Sequence, residues 1–374
     1  MKKLLLMFCI LLLMLIPLPA HAEEPSLEEQ GWQTAEEEAG RLIESASPEA
    51  RELAEGLTAQ SILDISPGEL MRFLWELFWD KLSAPLRLLA AVTGIGAVYC
   101  MFQGMEFSFL GREMSSLLQM VVLLFCAMIT ASPITQCIAQ VSTAIWECST
   151  FLSSFIPVLA GATTLTGQPV TASAYSLVLF GACQIFSAVA VDVILPMMGI
   201  YLAFSLVGAG MRQQGILDAA GSIRTIAYWI LGVMTTLFVG LMTLQNLVGA
   251  GADTVTVRAA KFVIGNFIPV VGSALSDAYA AAQGCITLVK NAVGTVGVVL
   301  AGLIFLPVLL QSAAWYFASM LASAAAGLFG AKPLAEMMKA FSSALGVLMA
   351  LVVSFALLLI VSTTILLVLG VGVT

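Results

Sequence analysis

Charge is what this sequence lacks. Of its 374 residues 10% are Asp, Glu, Lys or Arg and 60% are hydrophobic, whereas a soluble domain is about one quarter charged. So few charges cannot cover the apolar surface of a soluble globule. That excludes a cytosolic enzyme and a disordered chain, and it indicates a polytopic membrane protein. Histidine is almost missing: the single one, His21, falls in a cleavable leader. The mature chain then has no His for acid–base work or metal ligation. There is no Cys-x-x-Cys pair, no phosphate-binding G-x-x-x-x-G-K-[ST], no G-x-S-x-G and no H-E-x-x-H, and no two carboxylates stand close together in a span. Nothing in the pattern calls for an enzyme, a cofactor or a metal. Basic surface is scarce as well, so nucleic acid is not an expected partner.

The charges present are unevenly placed. Residues 23–81 hold 15 acidic and four basic residues. Ahead of them, residues 1–22 read as a signal peptide: Lys2 and Lys3, an apolar run Leu4–Ile16, Pro17 and Pro19, then Ala20-His21-Ala22 as the small-x-small cleavage site. The acidic stretch 23–84 is then expected outside the cytoplasm, its Glu runs forming solvated helix surface. Ser66-Pro67-Gly68-Glu69 is a capping box. It opens an amphipathic helix with Leu70, Phe73, Leu74, Leu77 and Phe78 on one face, Trp75 and Trp79 beside it, and Arg72, Glu76 and Asp80 opposite. That is the composition of a helix lying in the membrane interface, either as a simple anchor or as a docking face.

The body from residue 85 is all-α. Apolar blocks fall near 86–104, 115–132, 172–192, 193–210, 226–249, 291–310, 312–330 and 342–370, with interrupted blocks at 150–165 and 262–280. The interrupted blocks share a string, Ser154-Phe155-Ile156-Pro157-Val158 and Asn266-Phe267-Ile268-Pro269-Val270. Each is followed by a span pair with a Leu-Pro step (195–196, 306–307), a basic loop (Arg212 to Arg224, Lys332 to Lys339) and a long span. This predicts an internal duplication, 133–249 and 250–374, behind two leading helices in 85–132. If both interrupted blocks span, ten transmembrane helices result, and Arg112, Arg212, Arg224, Lys290, Lys332 and Lys339 lie inside, with Arg258 and Lys261 outside. If both are re-entrant, eight helices result and the charge bias reverses. Ten spans with both termini outside is the expectation.

Three sets of residues stand out. Asp192, within an almost unbroken apolar stretch four residues before Pro196, is either a cation or proton site beside a broken helix or part of a hairpin turn at the membrane surface. Asn266 and Pro269, flanked by Gly265 and Gly272, mark either a broken helix lining a substrate path or a packing kink. The cysteines outside the leader, Cys100, Cys126, Cys137, Cys148, Cys183 and Cys285, read as small hydrophobes, with Cys137 and Cys148 both on the outer side in the ten-span count.

Residues 258–272, Arg-Ala-Ala-Lys-Phe-Val-Ile-Gly-Asn-Phe-Ile-Pro-Val-Val-Gly, are similar to the signature of the stage III sporulation protein AE family of endospore-forming Firmicutes. Ser276-Asp277 and Lys290-Asn291-Ala292-Val293-Gly294 resemble it too, as does the plan of leader, acidic segment and long hydrophobic body. The resemblance implies a multi-pass protein of the mother-cell membrane around the forespore. It implies a subunit of a channel or secretion-like complex that supports late forespore sigma-factor activity after engulfment. Its partners would be the other stage III sporulation A-operon proteins, the stage II sporulation protein Q complex across the intermembrane space, and a YidC-type insertase. Arg258, Lys261, Gly265, Asn266, Pro269 and Gly272 form the candidate functional motif. A secondary transporter or ion channel built on the duplicated unit, acting alone, is the competing expectation.

Overall fold

The computed structural model describes residues 81–105, 112–165, 169–211, 213–267 and 304–369, with Arg72, Trp75, Phe78, Trp79 and Gly302 individually. The leader with Ala20 and Ala22, most of the acidic segment, Pro269 and Gly272 lie outside the described residues. The described chain is helical: α1 (Ser83–Met105), α2 (Arg112–Leu165), α3 (Pro169–Ala188), a π-helical turn (Val189–Ile194), α4 (Leu195–Met211), α5 (Gln214–Phe267), α6 (Ile304–Leu328) and α7 (Lys332–Leu369). Six stretches within them are long and apolar enough to cross a membrane. The chain is a polytopic helical membrane protein, as its composition requires.

Two expected chain reversals are absent. The blocks 115–132 and 150–165 lie on one helix, α2, which passes straight through Pro133 and Pro157. A proline removes one backbone hydrogen bond and crowds the carbonyl four residues back. The carbonyls left without their helical N–H are those of Ile129 and Ser153, while nearby hydroxyls bond other carbonyls, Thr130 and Thr135 Oγ1 donating to Cys126 and Ala131 at 3.0 Å each and Ser153 Oγ to Thr150 at 2.6 Å. The helix carries on through both prolines with Ile134, Cys137, Leu152 and Phe155 beside them buried in the core. The first Phe-Ile-Pro-Val string is therefore continuous helix rather than a re-entrant loop. The blocks 172–192 and 193–210 likewise form one run, α3–π–α4, with no hairpin at Asp192. Pro196 explains the π turn. Its ring would clash with the Asp192 carbonyl in a regular helix, and one wider turn, in which the Leu195 N–H reaches back to the Ala190 carbonyl, relieves that clash. The repeat boundaries 132/133 and 249/250 fall inside α2 and α5.

True turns are marked by backbone chemistry. α6 ends in a Schellman motif: Gly330, at φ 71°, donates to the Gly327 carbonyl and Ala331 to that of Ala326, both at 3.0 Å. Pro333 then sits in the first turn of α7. Between α4 and α5 the Gln213 N–H returns to the Gly208 carbonyl at 3.1 Å and the Gln213 carbonyl accepts from Ile216.

α7 is the central helix. Its apolar stretch is 67% buried, against 22% for that of α5. Phe355 packs edge-on against Phe186 of α3 at 5.4 Å and against Phe305 of α6 at 5.9 Å. The Tyr175 hydroxyl of α3 donates to the Ser362 carbonyl. These pairs set α3–α4 antiparallel to α7; Tyr316 near Gly346 does the same for α6, while Arg224 beside Ser343 and Tyr228 beside Gly346 one turn on set α5 parallel to it.

The same pairs fix heights. Gly96 of α1 meets Phe329 and Leu334, at 3.2 and 3.8 Å from where its Cβ would stand. From there α1 rises ~20 Å to its first residue and stops roughly 20 Å below the Tyr175–Ser362 contact. The bundle thus has two tiers: a proximal tier that includes α1, and a distal tier built from the far halves of α2, α5 and α7 together with α3.

Candidate functional site

A basic and aromatic cluster sits where the tiers meet. Sequence periodicity explains it. Ala220, Ala227, Leu231, Phe238 and Met242 are buried at spacings of seven and four, so the inward face of α5 begins well before residue 226. Arg224 therefore lies on a helix, not in the basic loop expected from 212 to 224. It stands ~15 Å from the start of α5. Ser343 stands at a similar depth on α7, and the Arg224 Nη1–H donates to its Oγ at 3.0 Å. One turn further on, the Tyr228 hydroxyl lies 3.3 Å from where a Cβ on Gly346 would be, and Tyr316 of α6 approaches the same point at 3.7 Å. Gly346 is what lets both rings reach α7. Tyr201 of α4 is buried and lies within electrostatic reach of Tyr228, as do Arg224 and Tyr316.

Residues of four helices thus gather around Tyr228, beside one half-buried guanidinium. Among the described residues its hydrogen-bond partner is Ser343, which occupies one of five N–H donors. A cation in an apolar bundle is costly and faces the bundle interior or a watered cavity. The remaining donors suit an anionic or carbonyl group presented from outside the fold.

Asp192 is exposed on the π turn, ~13 Å along the helix from Tyr201. π turns recur at functional positions, but the structure does not bring Asp192 into the arginine cluster. Arg258, Lys261, Gly265 and Asn266 stand on the last turns of α5, whose backbone is helical to Phe267; their side chains lie outside the described residues. Cys126, Cys137, Cys148 and Cys183 are buried and unpaired, and Cys100 is exposed. Cys137 and Cys148 point into the core, away from any outer loop. Among the described residues no three His, Cys, Asp or Glu side chains converge on a point that could hold a metal ion.

Two comparisons bear on identity. The family model described as stage III sporulation protein AE matches residues 49–370. The stage III sporulation protein AE of Bacillus subtilis (strain 168) is 25% identical over 233 residues, covering 62% of this chain and 58% of that protein. No solved structure matches. The resemblance carried by residues 258–272 holds, and the match takes in every described helix: the chain belongs to the stage III sporulation protein AE family.

Proposed function

We propose that this chain is the multi-span subunit of a channel or secretion-like complex in the mother-cell membrane around the forespore, needed for late forespore sigma-factor activity after engulfment. The observation that carries the assembly reading is the height of the bundle. The apolar stretches Met120–Pro157 and Ala172–Met211 contain 38 and 40 residues, ~57 and ~60 Å of helix. A hydrocarbon core is ~30 Å thick. Fitting them inside it would take a tilt near 60°, beyond the roughly 40° that spans reach. One tier therefore stands outside the hydrocarbon. α1, with 23 residues, matches a bilayer and follows a segment that the leader-like residues 1–22 lead one to expect outside. The proximal tier is then the membrane tier.

The distal tier still exposes large apolar side chains, with Trp146 at 68%, Leu177 at 75%, and Ile185, Leu241 and Leu244 alongside them. Outside a bilayer such a face calls for protein cover. The other stage III sporulation A-operon proteins and the stage II sporulation protein Q complex are the partners this reading assigns to it, with a YidC-type insertase assisting assembly. The reading includes the duplication 133–249 and 250–374. It is supported by α2 and α5 running in one sense while α3–α4 and α6 run in the other. The protein acts as a scaffold or conduit and not as an enzyme.

The test joins genetics to the distal face. Deletion should leave growth and engulfment normal and abolish late forespore gene expression and heat-resistant spores. Leu177→Asp with Leu244→Asp should do the same while the protein stays folded and inserted, and should release the partners that co-purify from sporulating cells. Normal sporulation in the distal double variant overturns the assembly reading. The π turn at Asp192 favours a second reading, a transporter acting alone. Solute movement by the purified chain in liposomes, lost in Asp192→Asn, would establish that one.

A further inference from the structure

Between α1 and α2 lies an open apolar groove of about 490 Å³, a size that takes one small organic ligand or chain. Ala90, Ala91, Gly94 and Val98 form one wall, and Val121 and Phe125 stand on the other. The α1 wall is low because its residues are small. A Cβ on Gly94 would meet nothing within 4 Å. The helical stripe that gives Ala91, Gly94 and Val98 begins one turn earlier with Arg87.

Arg87 is exposed and makes no hydrogen bond or ion pair with another described residue. Helical side chains lean toward the N-terminus, so its guanidinium reaches past the groove's end toward the start of α1. There Trp75 and Trp79, both exposed, stack at 5.6 Å. Exposed tryptophans of this kind mark the headgroup level of a bilayer, and an Arg stem lies along apolar surface while its head stays at that level. On α2 the matching end carries Ser132 and Gln136, both exposed. The groove is therefore apolar along its length and polar and cationic at one end, the end at headgroup depth.

We propose that this groove holds one acyl chain of an anionic phospholipid whose phosphate lies against Arg87. The apolar walls match the chain, the small residues give it depth, and the cation in line with them, Arg87, matches the phosphate. This rests on α1 crossing the bilayer, which its own length supplies, and not on what covers the distal tier.

Native mass spectrometry of the full chain in detergent, titrated with dioleoyl phosphatidylglycerol and separately with dioleoyl phosphatidylcholine, tests it. One phosphatidylglycerol should survive collisional activation that strips the rest. It should be preferred over phosphatidylcholine about fivefold, the ~1 kcal/mol a basic residue contributes at an anionic surface. Arg87→Gln should erase the preference and Arg87→Lys keep it. Gly94→Leu, whose side chain enters open space, should lower retention of both lipids. Equal retention of the two lipids by the native chain overturns the proposal, and so does undiminished retention in both Arg87→Gln and Gly94→Leu. Arg87→Gln decides alone if Gly94→Leu melts early.

Discussion

Replacing Arg224 by Met separates what that residue does for the fold from what it does for sporulation. The guanidinium donates to Ser343 Oγ at 3.0 Å. A hydrogen bond to a charged group is worth ~1.5–3 kcal/mol in soluble proteins. Side-chain hydrogen bonds between membrane helices average about 0.6 and reach about 1.7 kcal/mol. The lower range applies here, because the site is half-buried and the unfolded reference in detergent still solvates the charge. Arg224→Met loses that bond but also removes the cost of holding a cation among apolar helices, and Met fills the space of the aliphatic stem. The two terms oppose, and the net change in stability should stay within ~1 kcal/mol. Ser343→Ala keeps the cation and removes its acceptor, so it should be the less stable variant, by ~1–2 kcal/mol against the native chain. Denaturant or thermal unfolding in detergent reads both. In the source organism Arg224→Met should insert at normal level and fail to yield heat-resistant spores. Arg224→Lys, which keeps the charge without the planar fork, should fall between. Two results would refute this reasoning: destabilisation of Arg224→Met by more than ~3 kcal/mol, the signature of a purely structural arginine, or normal spore counts in that variant.

Two further outcomes follow from the packing. Phe355 is fully buried between Phe186 and Phe305, so Phe355→Ala should cost ~3–5 kcal/mol of unfolding free energy by the cavity it leaves; a loss under 1 kcal/mol would mean the α3–α6–α7 core is not packed as described. A Cβ on Gly208 would come within 2.9 Å of the Leu217 side chain and 3.2 Å of its backbone N, whereas one on Gly199 meets nothing within 4 Å. Gly208→Ala should therefore destabilise by ~1–3 kcal/mol while Gly199→Ala, in the same helix, is neutral or stabilising by up to ~1 kcal/mol, and equal melting temperatures for the pair would contradict the α4–α5 contact.

Helix content was legible because hydropathy and the 3.6-residue period act locally, and every apolar block that falls on described residues lies on a helix. What was not legible is where helices fail to end. Pro133, Pro157 and Asp192 with Pro196 look like breaks, because proline costs a hydrogen bond and a carboxylate disfavours hydrocarbon. Whether the chain turns at such a point is decided by compensation from other residues. In α2 the flanking residues Cys126, Ile134, Cys137, Leu152 and Phe155 supply it by packing into the core, and a single π turn supplies it ahead of Pro196. The Gly330 turn shows the contrast: a residue at φ 71° followed by Pro333 ends the helix outright. Arg224 escaped notice for a related reason. Read as the end of a basic loop it is an ordinary topogenic charge. The stripe Ala220, Ala227, Leu231 was the available signal that helix already ran beneath it, and the convergence with Tyr201, Tyr316 and Ser343 depends on three other helices.

The corrections leave the expected side of the helices from α5 onward unchanged, for a parity reason. Joining 115–132 to 150–165 removes one crossing, and joining 172–192 to 193–210 removes another. The starts of α2 and α5 therefore remain on one expected side, while the end of α2 at Leu165, which the ten-span count put on that side too, moves to the other. The contacts agree: Leu123, early in α2, lies 3.2 Å from where a Cβ on Gly210, late in α4, would stand, and Leu217 meets Gly208 beside it. Lys332 and Lys339, on the first turns of α7, are placed at that same end by the parallel course of α5 and α7. Arg112, Lys332 and Lys339 thus stand on first turns at one end of the proximal tier, with Arg224 further in, and the exposed apolar side chains of α3 stand at the far end of the distal tier. The positive-inside rule would put that basic end in the cytoplasm, and on the proposed reading the distal tier then faces the space beyond the membrane.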